Sequence, residues 1–285
     1  PITLAKSFKL LDYFKINNII LEASSHGLHQ NRLDGIKFNG GIFTNLSHDH
    51  LDYHKSLKNY FNSKLYLFKR LLKNNSFIVA SANNNQYNTI KKVAKNKKLK
   101  LIPLFQKNGI EILDHKYIGD KQFLSLVYQK KKYSFKTHLI GKIQINNLLM
   151  AGIAAKNSKL KFENIINKFN RIKSVNGRLE KIGKLKNNAL IILDYAHTPD
   201  ALNICLKNIK EQFEGRKIKI VFGCGGDRDK GKRSKMGMIA SKYCNEIYIT
   251  NDNPRNENEK KIRDNIKSGI SDKKKYMKYL IEKMQ

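Results

Sequence analysis

The chain has 285 residues, of which 40% are hydrophobic and 28% charged, so it has enough apolar material for packed cores and too much for a disordered chain. Three widely spaced cysteines and the lack of any apolar stretch of roughly 18–20 residues exclude a disulfide-stapled secreted domain and a membrane-spanning helix. The net charge of +33 permits nucleic-acid binding, but the Lys- and Asn-rich tracts are typical of solvated faces, so we predict neither a nucleic-acid nor a membrane partner.

Short β-branched apolar runs alternate along the chain with amphipathic, lysine-rich segments. The runs end in loop signals and predict buried strands at residues 17–22, 41–45, 76–81, 189–194, 217–223 and 246–250. Helical patterns lie between them, as at residues 201–213 and 234–244. Residues 110–135 are more strand-like, with turns at Gly119-Asp120 and at residues 130–132, which predicts an antiparallel insertion or an edge hairpin. The alternation indicates an α/β fold with a mostly parallel sheet.

A domain boundary is predicted where a long helical region ends near residue 175 and a new strand pattern begins after Arg178. This gives two predicted domains, at residues 1–175 and 176–285. The chain starts with Pro1, and its last segment, YMKYLIEKMQ, stops inside a helical pattern. We therefore expect the sequence to be a fragment of a longer protein.

Polar clusters follow the predicted strands, at the edge of a parallel sheet where ligands bind. Glu22 closes the first predicted strand, and a carboxylate in that position can hold Mg²⁺ beside phosphate oxygens. The alternative is an acid that only makes the end of the strand soluble. The next strand runs into a cluster of acids and imidazoles, namely His48, Asp49, His50, Asp52 and His54. A zinc site is disfavoured because no cysteine lies near and the spacing matches no structural zinc pattern. A single imidazole sharing Mg²⁺ with Glu22 fits better.

Lys64 falls within an apolar helical stripe formed by Leu57, Phe61, Phe68 and Leu71. Two interpretations are open. A lysine at the edge of a core usually extends its amine to water. A desolvated lysine instead favours its neutral, reactive amine, which can take up CO₂ as a carbamate. The spacing alone favours the first interpretation.

The second half of the chain carries three more polar segments at strand ends. DYAHTPDAL places Asp194, Tyr195 and His197 at a strand-to-helix turn. The glycines of GCGGDRDKGKR would let the backbone approach phosphates that its cations neutralise, although the P-loop pattern GxxxxGK[ST] is absent from this sequence. DNPR follows the last predicted strand. An arginine after a rigid proline suits bidentate binding of a carboxylate, and a β-turn with a solvated arginine is an equally good interpretation.

Together these segments carry a resemblance to a known family. In order along the chain they are LEASSHGLHQNRLDGIKF, FTNLSHDHLDYHKSLKNYFNSKLYLF, NGRLEKI, LDYAHTPDAL, VFGCGGDRDKGKR and TNDNPR. They resemble the ordered motifs of the Mur ligases of peptidoglycan synthesis. The resemblance implies a central P-loop-type ATPase domain with a mostly parallel sheet, lacking its P-loop here, followed by an incomplete Rossmann-like domain. It leaves out the family's UDP-binding domain, so this fragment alone is expected to be inactive.

The resemblance also implies a reaction. With Mg²⁺, ATP phosphorylates the terminal D-Glu carboxylate of UDP-N-acetylmuramoyl-L-Ala-D-Glu to an acyl phosphate. The amino group of meso-diaminopimelate then attacks, and phosphate leaves the tetrahedral intermediate. A cytoplasmic bacterial enzyme that acts as a monomer is expected from the family.

The family's site residues carry over position by position. The catalytic Mg²⁺ ligands match Glu22, His50 and Lys64, the last as a carbamate, which reverses the interpretation drawn from spacing alone. Contacts to the UDP-muramoyl dipeptide match Ser24, Gln30 and Arg32. Nucleotide contacts match Asn147, Arg178 and Asp194, with Lys230 near the phosphates, whereas Gln144 stands where the family usually has an Asn near the adenine. Contacts to meso-diaminopimelate match Asp252, Asn253 and Arg255, with Arg255 on the distal carboxylate.

Other functions remain open at this stage. Members of the family that add L-lysine lack the arginine of DNPR. A folylpolyglutamate synthase-like ligase would share the fold and the acyl-phosphate chemistry but would not carry SSHGLHQNR or DNPR. A basic nucleic-acid-binding protein would account for the net charge of +33, with binding that falls steeply with salt, but leaves the ordered motifs unexplained. A non-catalytic remnant of the ligase is the last alternative.

Overall fold

The computed structural model of this chain describes residues 2–47, 49–272 and 276–277. The chain divides into two compact units. The first comprises Pro1–Ile112, Leu126–Tyr133 and Asn147–Ile165, and the second comprises Leu113–Ser125, Ser134–Asn146 and Ile166–Gln285. Because the division crosses the chain several times, it gives no single boundary, and the predicted one at residue 175 stays a prediction.

Three parallel strands organise the first unit: β1 (Phe38–Phe43), β2 (Leu72–Ser81) and β3 (Lys100–Leu104). The central strand is β2, in which Val79 lies opposite Ile42 of β1 and Ile102 of β3. Helical connections join the strands: α3 (Leu51–His54), α4 (Leu57–Tyr66) and a π-helical turn (Leu67–Leu71) precede β2, and α5 (Tyr87–Asn96) follows it. This arrangement confirms the predicted α/β fold with a mostly parallel sheet.

The core of the first unit forms around β2. Ile78, Val79 and Ala80 have no exposed surface, so both faces of this strand are covered, as is usual for parallel sheets. From the helices, Phe68 and Ile90 pack into the same cluster. The apolar stripe predicted on α4 is therefore only partly a core stripe, because Phe68 and Leu71 are buried whereas Leu57 is 43% exposed.

The predicted antiparallel insertion is confirmed. After β3 the sheet continues in chain order with β4 (Ile110–Ile118), β5 (Lys121–Tyr128) and β6 (Lys131–Thr137). Two-residue turns join these strands, which requires neighbouring strands to run antiparallel. The first turn lies at Gly119-Asp120 as predicted, and the second lies at Gln129-Lys130, where both residues have left-handed φ angles of 51° and 64°.

The second unit contains two smaller sheets. An antiparallel pair is formed by β7 (Glu180–Lys184) and β8 (Leu190–Leu193), and a parallel sheet has the order β11 (Tyr276–Met277), β10 (Glu246–Ile249), β9 (Lys219–Phe222). The helices between and after these strands are α8 (Pro199–Gln212), α9 (Gly231–Tyr243) and α10 (Glu259–Lys267). Their apolar faces share one core with β10, built from Leu202, Leu206, Met236, Ala240, Ile247, Ile262 and Ile266.

The remaining helical segments are α1 (Ile2–Tyr13), α2 (Ser25–His29), α6 (Lys142–Asn157), α7 (Phe162–Ile166) and a 3₁₀ turn (Phe169–Arg171). Among the described residues, no helix is both long enough and apolar enough to cross a membrane.

One predicted element is wrong, and a second differs at the two residues where it is described. Residues 17–22 have no regular structure, and Ile20 in their middle is fully exposed. A strand needs a hydrogen-bonded neighbour, and although β1 lies at the edge of the sheet in the described part of the chain, the apolar run does not pair with it. The helix predicted at YMKYLIEKMQ begins instead with β11, whose Tyr276 pairs with Ile247, and the rest of that segment lies outside the described residues.

Candidate active site

The segment SSHGLHQNR forms a short capped helix in the first unit. The Ser24 side chain accepts a hydrogen bond from the Gly27 amide at 3.1 Å, which is why α2 begins at the next residue. At the other end of α2, the Gln30 side-chain amide donates to the Tyr53 hydroxyl at 3.0 Å. Arg32 follows and is exposed. Three predicted dipeptide-binding residues therefore lie at the two ends of one short helix.

Glu22 lies just before this helix, but not where the sequence predicted. It follows irregular backbone rather than the end of a strand, and its side chain is exposed. Because residues 17–22 do not join the sheet, the structure does not bring Glu22 to a strand edge. Its role as a Mg²⁺ ligand stays a prediction from the family resemblance.

His50 is at the centre of a cluster of aromatic and imidazole rings. It has a left-handed φ of 55° immediately before α3, and its backbone amide donates to Asp49 Oδ1 at 2.8 Å. Its ring centroid lies 4.9 Å from that of His26 and 5.7 Å from that of Tyr60, edge to face in both pairs. Burial lowers the pKa of His26, and the charge of His50 lowers it further. The cluster therefore favours neutral His26.

His54 lies deeper in the same cluster and links two helices. Its Nε2 is 3.0 Å from the Ser25 hydroxyl of α2, and its Nδ1 is 3.4 Å from the Ser63 hydroxyl of α4. The ring stacks on Tyr60 at 5.1 Å with an interplanar angle of 17°. Burial is the main cause that lowers the pKa of His54, with His26 adding to it. A neutral, doubly hydrogen-bonded imidazole therefore connects α2 to the helix that carries Lys64.

Lys64 is half-buried in the last turn of α4. Its Nζ donates to the Asn45 carbonyl oxygen at 3.1 Å and lies 4.9 Å from the centroid of the Tyr60 ring. Burial lowers the pKa of the amine, and Asp49 only partly opposes this. The neutral form of this amine is thus more populated than in an exposed lysine. Carbamate formation, the second interpretation of the sequence, requires that neutral form. Tyr60 contacts both His50 and Lys64, so the structure brings these two predicted residues to one ring.

The donors here suit a hard cation held jointly with phosphates. Among the described residues, which exclude His48, no three His, Cys, Asp or Glu side chains form a ready-made metal cage. Mg²⁺ seldom uses such a cage; it is usually held by one or two protein ligands together with water and substrate phosphates. The Asn45 carbonyl and the Asp49 carboxylate supply oxygen donors near Lys64 that fit that mode, and the His50 imidazole would be a single nitrogen ligand beside them; this set does not fit a structural zinc site.

The second unit holds the other group of predicted residues, in two loops that follow β9 and β10. The Gly226 amide donates to the Asn253 carbonyl at 2.8 Å, and Arg255 Nη1 donates to the Gly226 carbonyl at 2.6 Å. A Cβ on Gly226 would lie 1.7 Å from the Pro254 carbonyl oxygen. The glycine is thus required by the close approach of the DNPR turn, which the sequence interpretation, based on phosphates, did not foresee.

The DNPR segment is a turn held by its own side chains. Asp252 Oδ1 accepts from the Asn253 amide at 2.7 Å, and Asn253 Oδ1 accepts from the Arg255 amide at 3.1 Å. Arg255 has a left-handed φ of 50° and is exposed apart from its contact with Gly226. The three predicted diaminopimelate-binding residues therefore lie together on one ordered turn.

Sequence reasoning missed two residues that hold these loops together. Arg233 has 0% exposed surface and donates to both carboxylate oxygens of Glu257, at 2.8 and 2.9 Å. Lys230 Nζ lies 3.8 Å from the same carboxylate, so this predicted phosphate contact is near Glu257. The sequence offered one signal, an acid two residues after DNPR, namely Glu257. Nothing in KGKR, residues 230–233, indicated which of its cations would be buried.

Predicted nucleotide contacts fall in both units. Asn147 is exposed on α6 in the first unit, whereas Arg178 and Asp194 lie together in the second. The Asp194 carboxylate accepts from the Leu179 amide at 2.8 Å and from the Ala196 amide at 2.9 Å. The Arg178 guanidinium lies 5.5 Å from the centroid of the Tyr195 ring. Asp194 therefore fixes the backbone on which Arg178 is presented.

Comparisons with known proteins agree with the motif order. The profile of the Mur ligase middle domain matches residues 1–155, and that of the Mur ligase glutamate ligase domain matches residues 177–285. The chain is 40% identical over 256 residues to a protein of Rickettsia montanensis named UDP-N-acetylmuramoyl-L-alanyl-D-glutamate–2,6-diaminopimelate ligase, covering 90% of this chain and 53% of that protein. A protein of the same name from Wigglesworthia glossinidia brevipalpis is 41% identical over 278 residues, covering 93% and 54%.

Solved structures give the same relation. A structure of a UDP-N-acetylmuramoyl-L-alanyl-D-glutamate–2,6-diaminopimelate ligase superimposes with a TM-score of 0.61 at 34% identity, covering 88% of this chain and 51% of the other. MurF from Acinetobacter baumannii superimposes with a TM-score of 0.67 at 14% identity, covering 84% and 50%, which supports the fold alone. The chain spans about half the length of the curated relatives it matches.

Proposed function

This chain belongs to the Mur ligase family, and we propose that in the complete protein it supplies most of the active site of an ATP-dependent amide-bond ligase. The proposed reaction joins meso-diaminopimelate to the D-Glu of UDP-N-acetylmuramoyl-L-Ala-D-Glu in the bacterial cytoplasm. The observation that carries the choice of amino acid is the DNPR turn, whose Arg255 donates to the Gly226 carbonyl of the loop between β9 and α9, residues 223–230, called the glycine loop below.

In this proposal the first unit supports phosphoryl transfer to the D-Glu carboxylate. Mg²⁺, when bound, supplies positive charge that neutralises the phosphates and orients them. Its proposed ligands are Glu22, His50 and Lys64 as a carbamate. The lowered pKa of Lys64 supports the last of these, because only the neutral amine adds to CO₂, losing a proton as the carbamate forms. Tyr60 and the Asn45 carbonyl hold the Lys64 side chain.

Ser24, Gln30 and Arg32 are proposed to bind the UDP-muramoyl dipeptide. In support, Gln30 and His29 both contact the Tyr53 hydroxyl at 3.0 Å, which restrains this end of the segment. Nucleotide binding is proposed for Asn147, Arg178, Asp194 and Lys230. These assignments rest on the resemblance, with local order of the side chains as their physical support.

The second unit is proposed to bind the incoming amino acid. Asp252 and Asn253 shape the turn, and the Arg255 guanidinium would pair with the distal carboxylate of meso-diaminopimelate. The amino group at the opposite end of meso-diaminopimelate attacks the carbonyl carbon of the acyl phosphate and loses a proton. The tetrahedral intermediate then expels phosphate. L-Lysine has no distal carboxylate, so it would leave Arg255 without a partner.

The test uses the protein encoded by the complete reading frame. Ligation of UDP-N-acetylmuramoyl-L-Ala-D-Glu is measured with meso-diaminopimelate and with L-lysine, in the native enzyme and in Arg255→Ala. We expect product with diaminopimelate only, and a loss of roughly 10- to 100-fold in kcat/KM in the variant, which corresponds to one charge-assisted contact. Arg171→Ala, at an exposed arginine of the same unit, is the control and should be unaffected.

Turnover with L-lysine instead would preserve the chemistry and overturn the proposed amino acid. No turnover with either amino acid would favour a folylpolyglutamate synthase-like ligase or a remnant without activity. Binding of a DNA duplex that falls steeply with salt, without ligase activity, would favour the nucleic-acid alternative.

A further inference from the structure

One ion pair in the second unit is unlike the other ion pairs described in this chain. Arg233, in the first turn of α9, has 0% exposed surface, and no larger fully buried side chain is found in the described residues. Its guanidinium donates to Glu257 Oε2 at 2.9 Å and to Glu257 Oε1 at 2.8 Å, the geometry of a bidentate pair. In the other described pairs the cation is at least 29% exposed, as in Lys219 with Glu246 at 2.9 Å, where Lys219 is 61% exposed.

The pair contacts both functional loops of this unit. Arg233 Nη2 also donates to the Gly225 carbonyl at 3.3 Å, and Glu257 Oε1 accepts from the Asp227 amide at 2.6 Å. The Glu257 amide in turn donates to the Pro254 carbonyl at 3.0 Å, which ties it to the DNPR turn. The Arg233 hydrogen bonds hold the pKa of Glu257 down, at about 2, so the carboxylate is charged at neutral pH.

Arg233 and Arg255 hold consecutive carbonyls of the glycine loop. Arg233 donates to Gly225 and Arg255 Nη1 donates to Gly226, while the Gly226 amide donates back to Asn253. The position of the Arg255 guanidinium is therefore determined by the position of the glycine loop. Anything that fixes this loop relative to the DNPR turn also fixes Arg255.

Stability alone does not account for a fully buried arginine. Desolvating two charges costs about as much as their attraction returns, and apolar side chains of similar volume are often as stable. A bidentate pair does provide something an apolar contact cannot, which is a fixed distance and orientation between the two loops. A guanidinium that is already fixed loses less side-chain freedom when it binds a carboxylate.

We propose that Arg233 and Glu257 are positioning residues that hold the DNPR turn against the glycine loop and thereby preorganise Arg255 for the distal carboxylate of the amino-acid substrate. The inference rests on the proposed function for the identity of that substrate. The positioning itself is a property of the two loops and can be tested without it.

The first measurement is kinetic and uses the complete enzyme. Glu257→Gln keeps the shape of the side chain but loses its charge, and we expect KM for meso-diaminopimelate to rise roughly tenfold, as for the loss of one charge-assisted contact. KM for ATP should change by less than about threefold, since Lys230 lies 3.8 Å from Glu257 but keeps its own charge, and kcat at saturating diaminopimelate should stay within about threefold. Arg233→Lys, which keeps the charge and loses the planar fork, should raise the same KM.

Two comparisons separate positioning from a general loss of stability. Glu246→Gln breaks the ion pair with Lys219 between β9 and β10, and should leave all three kinetic parameters unchanged. In an Arg255→Ala background, Glu257→Gln should have no further effect on KM for diaminopimelate, because it acts through Arg255. Additive effects, or a rise in KM for ATP as large as that for diaminopimelate, would overturn the proposal.

The second measurement does not depend on which amino acid is used. Hydrogen exchange at the amides of Arg255 and Asn256 should be about tenfold faster in Glu257→Gln than in the native enzyme, and unchanged in Glu246→Gln. Faster exchange in an enzyme that does not use diaminopimelate would refute the proposed function but support the positioning. Unchanged exchange and unchanged KM in an enzyme that does use it would refute the positioning alone.

Discussion

Replacing Gly226 by alanine tests whether the close approach of the DNPR turn requires a glycine at this position. The added Cβ would lie 1.7 Å from the Pro254 carbonyl oxygen and 2.6 Å from the carbonyl carbon. Carbon–oxygen contacts in proteins have a separation of about 3.3 Å or more, so the two backbones would have to move apart by about 1.6 Å. That displacement breaks the bond from the Gly226 amide to Asn253 and the bond from Arg255 to the Gly226 carbonyl.

The expected cost follows from these losses. One neutral hydrogen bond contributes about 0.5–1.5 kcal/mol, one from a charged donor about 1.5–3 kcal/mol, and overpacking adds about 1–3 kcal/mol. Since the losses overlap, we expect a decrease of about 3–5 kcal/mol in the free energy of unfolding. For a unit of this size that corresponds to a decrease in Tm of roughly 6–20 °C.

The assay is thermal unfolding of the chain followed by circular dichroism, with Gly183→Ala as the matched control. A Cβ on Gly183, in β7 of the same unit, would meet only Ile191 Cδ1 at 3.7 Å, an ordinary contact. That variant should keep its Tm or gain slightly, since alanine restricts the unfolded chain. If Gly226→Ala unfolded within about 2 °C of Gly183→Ala, the close approach of the two loops would be refuted.

Two other predictions concern single charged side chains. Because Arg233 lowers the pKa of Glu257 from 4.5 to about 2, the carboxylate contributes stability above about pH 4.5 that is lost as the pH falls towards 2, so Tm should fall less steeply across this window in Glu257→Gln than in the native chain. Equal slopes in an acid titration of Tm would show that the pair does not contribute in this way. In the complete enzyme, Lys64→Gln should lower the ligation rate by about 100-fold or more, as for loss of a preorganised charged group, whereas Lys58→Gln, at an exposed position on the same helix, should leave it unchanged. Equal rates in the two variants would remove Lys64 from the reaction.

Local patterns determined much of the fold. The β-branched run at 76–81 lies within β2, and the run at 246–250 matches β10 to within one residue, because β-branched side chains favour strands. Helix α8 follows from its own apolar periodicity, and the Gly119-Asp120 turn follows from its residue types, whereas α9 has little apolar periodicity and buries Arg233 and Ser241 beside Met236. The motif residues of DNPR also lie together, because four consecutive residues share one turn whose bonds are local.

Long-range pairing explains where these patterns were insufficient. The run at 17–22 has the composition of a strand, but a strand is defined by backbone hydrogen bonds to a neighbour, and in the described residues this run pairs with none. Likewise, Leu57 belongs by spacing to the stripe of α4, yet it remains 43% exposed. Periodicity indicates which residues can be buried, and packing decides which are.

The sequence by itself determined the α/β class, the antiparallel insertion and the residue types of each candidate site. Only the tertiary structure decided that Arg233, rather than Arg228 or Lys230, is the buried cation of the glycine loop, since all three precede or open α9 within six residues. It also decided that residue 226 must be a glycine, because the Pro254 carbonyl lies where a side chain would be. Both results depend on contacts between residues more than 20 positions apart in the chain, and the identity of such partners is set by how the strands bring their loops together.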